Sequence, residues 1–182
     1  MNYYELNVAG CKRMLPLCEA SPNLDIAAFI MFGDVEITEN SARELLKKCP
    51  EHDVVISAEA KGIPLCYEIA RQGCRDYVIA RKSVKLYMTD IVAFKCKSIT
   101  TAKEQTLYLS GDDVKKLSGK RVLIVDDVIS TGESLKAMET LVEKAGGNIV
   151  GKACILAEGD AKNRKDIIYL EALPVFPVTT DR

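Results

Sequence analysis

Residues 121–134 read RVLIVDDVISTGES: four apolar residues, two adjacent acids, then a small, hydroxyl-rich loop that opens SLKAMETLVEKAGG at 134–147. Val122, Leu123, Ile124 and Val125 have the character of a strand buried on both faces. After the loop, Leu135, Met138, Leu141, Val142 and Ala145 recur at helical spacing, and Gly146 supplies the C-terminal stop. In an open parallel sheet a ligand sits beyond the carboxyl ends of the strands, and Asp126 and Asp127 fall there. The helix that follows leaves its first backbone N–H groups unpaired, so Ser130, Thr131, Gly132 and Ser134 form an anion cradle with hydroxyls added. Gly132 lets the backbone come close. The acids cannot share that anion; they require hydroxyl donors or a metal ion, and a sugar phosphate would bring the hydroxyls. A plainer reading makes Ser130 a helix cap and leaves both acids solvated.

Outward from this unit the same alternation continues. DVVISA (53–58), DYVIA (76–80) and NIVGKACILA (148–157) are further short apolar strands, and IPLCYEIARQG (63–73) is helical, with Ile63, Tyr67 and Ala70 as its stripe. Strand, helix, strand in this order predicts an α/β fold, a doubly wound, mostly parallel sheet with helices on both sides. Residues 83–110 break the pattern. DIVAFKCKSI and EQTLYLSG read as two strands of a β-hairpin joined by TTAKE, and an excursion of that length inside a domain is either a lid over a site or an ordinary surface hairpin.

The 182 residues fit a single domain, 1–182, with no internal repeat or linker. No apolar run approaches the roughly 20 residues that cross a bilayer, and MNYYELNVAGCKR lacks a charged start followed by an apolar core. A soluble cytoplasmic protein without membrane contact is expected. Seven scattered cysteines without a Cys-x-x-Cys pair suit reduced thiols rather than a disulfide framework or a zinc site. Net charge is −1, but residues 71–103 carry eight basic residues against two acids, which reads as a solvated face or a landing surface for a compact anion. A nucleic-acid binder would be basic throughout. His52, in KKCPEHDVV, has no nucleophile or metal partner at ligand spacing and reads as a surface turn.

VLIVDDVISTGES resembles the 5-phosphoribosyl-1-pyrophosphate (PRPP) signature of the type I phosphoribosyltransferases, and the resemblance extends over most of the chain, on the purine side of that family. SAEAKG (57–62) is similar to the family's pyrophosphate loop, ARKSVKLYM (80–88) to the basic entry of its flexible loop, about 83–110, and FKCKSITTAKEQTLYL to the loop itself. NVAGCKR and DIAAFIMFGD resemble the hood that covers the base, which divides the domain into a hood segment, 1–45, and a Rossmann-like core, 46–182.

The resemblance implies that PRPP is bound by Ala60, Lys61, Gly62, Arg81, Lys82, Lys85, Asp126, Asp127 and the loop Ser130, Thr131, Gly132, Glu133 and Ser134, with Lys85, Arg81 and Asp127 nearest the chemistry. It implies Mg²⁺ as cofactor, held mainly by PRPP oxygens rather than by the protein, a purine base as second substrate, and a homodimer with Arg81 and Lys82 near the partner. An unusual peptide bond in the pyrophosphate loop is a further expectation from the family. The reaction the resemblance implies is displacement of pyrophosphate from C1' by a purine nitrogen, as in purine salvage. Where many adenine enzymes of the family have a glutamate in the flexible loop this chain has Thr100, so no general acid is assigned. Glu158, in ILAEGDAKNR (155–164), stands where xanthine enzymes have a lysine. A carboxylate repels an oxo group and accepts from the 6-amino group of adenine, which favours adenine over xanthine or hypoxanthine.

Two other readings fit the residues less well. Receiver domains also end a strand with paired acids, but those lie near the domain start, whereas only 55 residues follow Asp127. A PRPP-binding regulator of purine genes would need a DNA-reading module, and residues 1–50 hold five basic against seven acidic residues and are too short for one beside the hood.

Overall fold

Four runs read as strands from composition form one parallel sheet in the computed structural model, which describes residues 2–97 and 104–178. They are β4 (Val54–Ala58), β5 (Tyr77–Ala80), β8 (Arg121–Ile129) and β9 (Asn148–Glu158); β10 (Ile168–Leu173) joins them, giving the order β10-β9-β8-β4-β5 with every neighbouring pair parallel. β4, β5, β8 and the second half of β9 are buried on both sides, whereas the edge strand β10 is mostly half-buried. Val55, Leu123 and Val125 turn to one core with Ala153 and Ile155, while Val54, Ile56, Val122 and Ile124 turn to the other. That two-sided burial is why these runs are continuously apolar instead of alternating.

Helices cover both faces. On the first lie α1 (Val35–Leu46) and α2 (Ile63–Gln72), which contribute Ile37, Leu45, Leu65 and Ile69. On the second lie α3 (Gly111–Leu117) and α4 (Glu133–Lys144), which contribute Leu117, Leu135, Met138, Leu141 and Val142. The α4 stripe is the one its spacing predicts, and Gly146 ends the helix region at φ +77°. The α2 stripe is shifted in phase: Tyr67 is 51% exposed, and the buried side runs through Leu65, Cys66, Glu68, Ile69 and Ala70. Glu68 tolerates that burial because Arg71 (2.7 Å) and Gln72 (2.7 Å) both donate to it.

A second sheet stands where the hood is expected: β1 (Tyr3–Val8), β2 (Cys11–Ser21), β3 (Leu24–Ala27) and, from outside the expected segment, β11 (Val175–Pro177), in the order β1-β2-β3-β11 and antiparallel throughout. Leu6, Val8 and Leu15 insert from it into the first core. Arg13 of β2 reaches Asp34 at 2.6 Å, and Asp34 also caps α1 by accepting from the Ile37 N–H at 3.2 Å, so one carboxylate ties hood to helix.

β6 (Val92–Lys97) and β7 (Glu104–Leu109) pair antiparallel, as expected of a hairpin, with six registered pairs from Val92↔Leu109 to Lys97↔Glu104. The TTAKE connection begins among residues 98–103, which lie outside the described residues. The base of the hairpin is no loose excursion: Phe94, Leu107 and Leu109 are buried in the second core.

Candidate active site

The carboxyl ends of β4, β5, β8 and β9 share one edge, and a cavity of about 400 Å³ opens there. Ala58, Glu59, Ala60, Lys61, Lys82, Leu107, Asp126, Asp127, Val128, Ser134 and Ala137 line it.

The acids come first. They stand inside β8, which runs to Ile129, rather than past its end. Pairing with β4 nevertheless stops at Ile124, while pairing with β9 continues to Ile129. On the β4 side the strand edge is free from Asp126 onward, and that notch is the cavity wall. Asp127 is buried, its Oδ2 has no hydrogen bond among the described residues, and Lys61 Nζ lies 3.3 Å away. The Asp127 N–H donates to Asp126 Oδ1 at 2.9 Å. Burial, and then the charge of Asp127, push the Asp126 carboxyl up to about 7. Two carboxylates crowded in a half-dry notch are poised to accept from neutral hydroxyl donors that need not be desolvated as ions.

The turn after β4 carries Ala60, Lys61 and Gly62, and its Glu59–Ala60 peptide bond is cis. A Cβ on Gly62 would lie 2.3 Å from Ser57 Oγ and 3.0 Å from Asp126 Oδ1, so the turn folds tightly against the acid pair only because residue 62 has no side chain. Glu59 is a cavity-lining residue that motif reading missed. It accepts from Arg81 Nη1 (2.8 Å) and from the Lys82 N–H (2.9 Å), with Lys85 Nζ at 3.8 Å. Burial pushes the Glu59 carboxyl up, but those donors and charges outweigh it and hold the group below its ordinary value. The only signal in the sequence was an acid inside a loop otherwise suited to anions.

Ser130, Thr131 and Gly132 join β8 to α4. Gly132 is the helix N-cap, at φ +84°, where a glycine has no steric penalty and no side chain to occupy the unpaired N–H groups. Thr131 Oγ1 accepts from the Glu133 N–H at 3.5 Å, and Ser134 faces the cavity. Glu158 ends β9, half-buried; burial raises its carboxyl, partly offset by Lys61. It does not line the cavity.

The basic stretch 71–103 is not one surface. Arg71 lies at the far end of α2, engaged by Glu68, whereas Arg81 and Lys85 converge on Glu59 at the ligand edge. Thr100 and Lys103 lie outside the described residues. His52 is half-buried at the opposite edge of the sheet, its Nδ1 2.9 Å from the Pro50 carbonyl oxygen, away from the cavity.

A parallel α/β sheet that sets a carboxylate pair beside a glycine-tightened turn and a hydroxyl loop at a helix start defines a class of proteins built for phosphorylated ligands. The sequence matches the phosphoribosyl transferase domain family over residues 32–180. The chain belongs to that family. It is 32% identical over 154 residues to the adenine phosphoribosyltransferase of Rubrobacter xylanophilus, covering 84% of this chain and 74% of that one. It is 38% identical over 112 residues to the hypoxanthine/guanine phosphoribosyltransferase of Methanococcus voltae, covering 62% and 56%. The chain thus matches little more than half the length of the latter relative. Among solved structures, the adenine phosphoribosyltransferase of Thermoanaerobacter pseudethanolicus shares the fold at a TM-score of 0.71 and 23% identity, covering 87% of this chain and 95% of that one.

Proposed function

We propose that this protein transfers the phosphoribosyl group of PRPP to adenine, giving AMP and pyrophosphate. The observation that carries this reading is the juxtaposition of the buried Asp126–Asp127 pair with Lys61 and Ser134 around one cavity. The acids suit the ribose 2' and 3' hydroxyls, the loop 130–134 suits the 5'-phosphate, and Ala60, Lys61 and Gly62 offer backbone donors and an ammonium to the diphosphate. Arg81 and Lys85, with Lys82, lie beyond it. Diphosphate has to draw them from Glu59, which keeps the two cations gathered at the ligand edge while no anion is bound.

In the reaction a purine nitrogen bonds to C1', the C1'–oxygen bond breaks, and pyrophosphate leaves with the bonding electrons while the purine N–H proton is released. The developing positive charge is of the oxocarbenium kind met in glycoside cleavage. The chain's residues align the two reactants, neutralise the departing diphosphate and exclude water, tasks that need positioning rather than a covalent intermediate. Among the described residues no three His, Cys, Asp or Glu side chains converge on a metal position, and of the carboxylates lining the cavity Glu59 is already engaged by Arg81. That donor set fits a Mg²⁺ ion carried in by PRPP and faced by Asp126 and Asp127; bound there, it supplies charge neutralisation on the diphosphate.

Adenine is favoured by the Glu158 carboxylate, an acceptor for the 6-amino group. Hypoxanthine or guanine is the second reading, supported by the Methanococcus voltae relative. We also propose a homodimer in the cytoplasm. Val84, Leu86 and Tyr87, just beyond Arg81 and Lys82, are exposed apolar residues at 49%, 108% and 69% and suit a partner copy. No helix among the described residues is long and apolar enough to cross a membrane.

The test is pyrophosphate release from PRPP and Mg²⁺ with adenine, hypoxanthine, guanine and xanthine offered separately. Turnover with adenine, lowered at least tenfold in kcat/KM by Glu158→Ala, is expected. Turnover confined to an oxo-purine would overturn the adenine reading, and PRPP binding without turnover on any base would make the chain a PRPP-binding regulator.

A further inference from the structure

Arg164 lies just past the 3-10 turn Gly159–Asn163, at the end of the stretch that carries Glu158, and no role in the site has been given to it above. Its guanidinium is held as a fork: Nε donates to Asp166 Oδ1 at 2.9 Å and Nη2 to Asp166 Oδ2 at 2.8 Å. Asp166 is fixed in turn by Lys152 of β9 at 2.6 Å, and Lys152 by Glu139 of α4 at 2.6 Å. The chain of ion pairs therefore runs from the body of α4, through the sheet, to the guanidinium. The remaining nitrogen, Nη1, takes no part in the fork and points at the start of the same helix: a Cβ on Gly132 would lie 2.2 Å from it. The space a side chain would occupy at the N-cap is filled by a cation.

We propose that Arg164 is a ligand of the 5'-phosphate, a cationic wall to the loop Ser130–Ser134, positioned by Asp166; the proposal rests on the phosphoribosyl reading of that loop. Three observations support it. The N-cap Gly132 has no side chain, so nothing from the loop itself stands between Nη1 and an anion seated on the α4 N–H groups. Two of the three guanidinium nitrogens are already satisfied, so little side-chain freedom is lost when the third engages a phosphate oxygen. The loop otherwise offers hydroxyls and backbone donors, which do not neutralise a phosphate dianion, and Lys136 of α4, the next cation along, pairs with Glu139 at 3.3 Å. Glycine at 132 thereby has two causes, a left-handed backbone and the guanidinium beside it.

The inference is tested by titrating the full-length protein calorimetrically with ribose 5-phosphate and, separately, with Mg²⁺-pyrophosphate, for the unmodified chain, Arg164→Gln, Arg164→Lys and Asp166→Asn. Loss of a charge-assisted contact predicts that Arg164→Gln weakens ribose 5-phosphate roughly tenfold to a hundredfold and leaves pyrophosphate within about twofold. Arg164→Lys should recover part of the affinity, and Asp166→Asn, which keeps the cation but loosens its fork, should fall between. Unchanged ribose 5-phosphate binding in Arg164→Gln would overturn the proposal, as would a parallel loss for both ligands, the mark of a merely structural role. If the unmodified chain binds pyrophosphate and ribose 5-phosphate normally while the variants also do, only Arg164 is misassigned; if it binds neither, the phosphoribosyl reading falls as well.

Discussion

Gly62 has an ordinary backbone, φ −75°, so its missing side chain answers to space and not to strain. The space belongs to Ser57 Oγ, buried without a hydrogen bond among the described residues, and to Asp126. Gly62→Ala is expected to cost about 1–3 kcal/mol in urea unfolding. Ser57→Ala in the same chain should return most of it, since the hydroxyl it removes is unsatisfied where it lies; a double variant as unstable as Gly62→Ala would show that the clash lies with Asp126. Asp126 makes a second expectation, in pH. Its carboxyl is held up at about 7 by burial and by Asp127, against an ordinary 3.8, so the fold favours the protonated form. That contribution is complete below the ordinary value and is lost as pH rises through about 7. Asp126→Asn removes it, so between about pH 5 and pH 8 the midpoint of thermal unfolding should drop further for the unmodified protein than for the variant, by about 2–4 °C for each kcal/mol at this chain length. Parallel curves would refute the assignment. Ser57 and Glu59 show what single residues hide from sequence: a serine in an apolar strand and an acid in a turn gain meaning only from the partner the fold places opposite.

At the scale of elements, four strands of the core sheet were legible because a sheet buried on both faces writes itself as uninterrupted Val and Ile, whereas the half-buried edge strand β10 was not; α4 was legible because all five of its predicted stripe residues are buried. α1 was not, because its buried side mixes Ile37 and Leu45 with Ser41 and Ala42, which dilutes the periodic signal. α3 has seven residues with only Leu117 buried, too short for a stripe; its Ser110–Asp113 capping box was the one sign of it. Tyr67 drew the α2 phase astray because a large aromatic was counted as core while a small Cys66 was the buried neighbour. The hairpin is where element and function meet. Leu109 is fully buried beneath it, so Leu109→Ala should lose about 2–5 kcal/mol by urea denaturation, whereas a hairpin that only drapes over the surface would lose less than about 0.5 kcal/mol.

For the whole molecule, the exposed apolar group Val84, Leu86 and Tyr87 gives the expectation of a dimer: sedimentation should report about twice the 20.0 kDa of one chain, and Leu86→Glu should shift it to the monomer with an unchanged circular dichroism spectrum. A monomeric unmodified protein would refute this. The two-sided sheet and its ligand edge follow from local patterns; the hood does not, because β11 joins it from the opposite end of the chain. Pairing of Leu24–Ile26 with Val175–Pro177 closes a loop of most of the polypeptide's length. Contacts of such sequence separation form late, after the chain between them has been ordered. During synthesis strands β1 to β3 are therefore made long before the partner that completes their sheet, and until β11 arrives that sheet presents the edge of β3 unpaired.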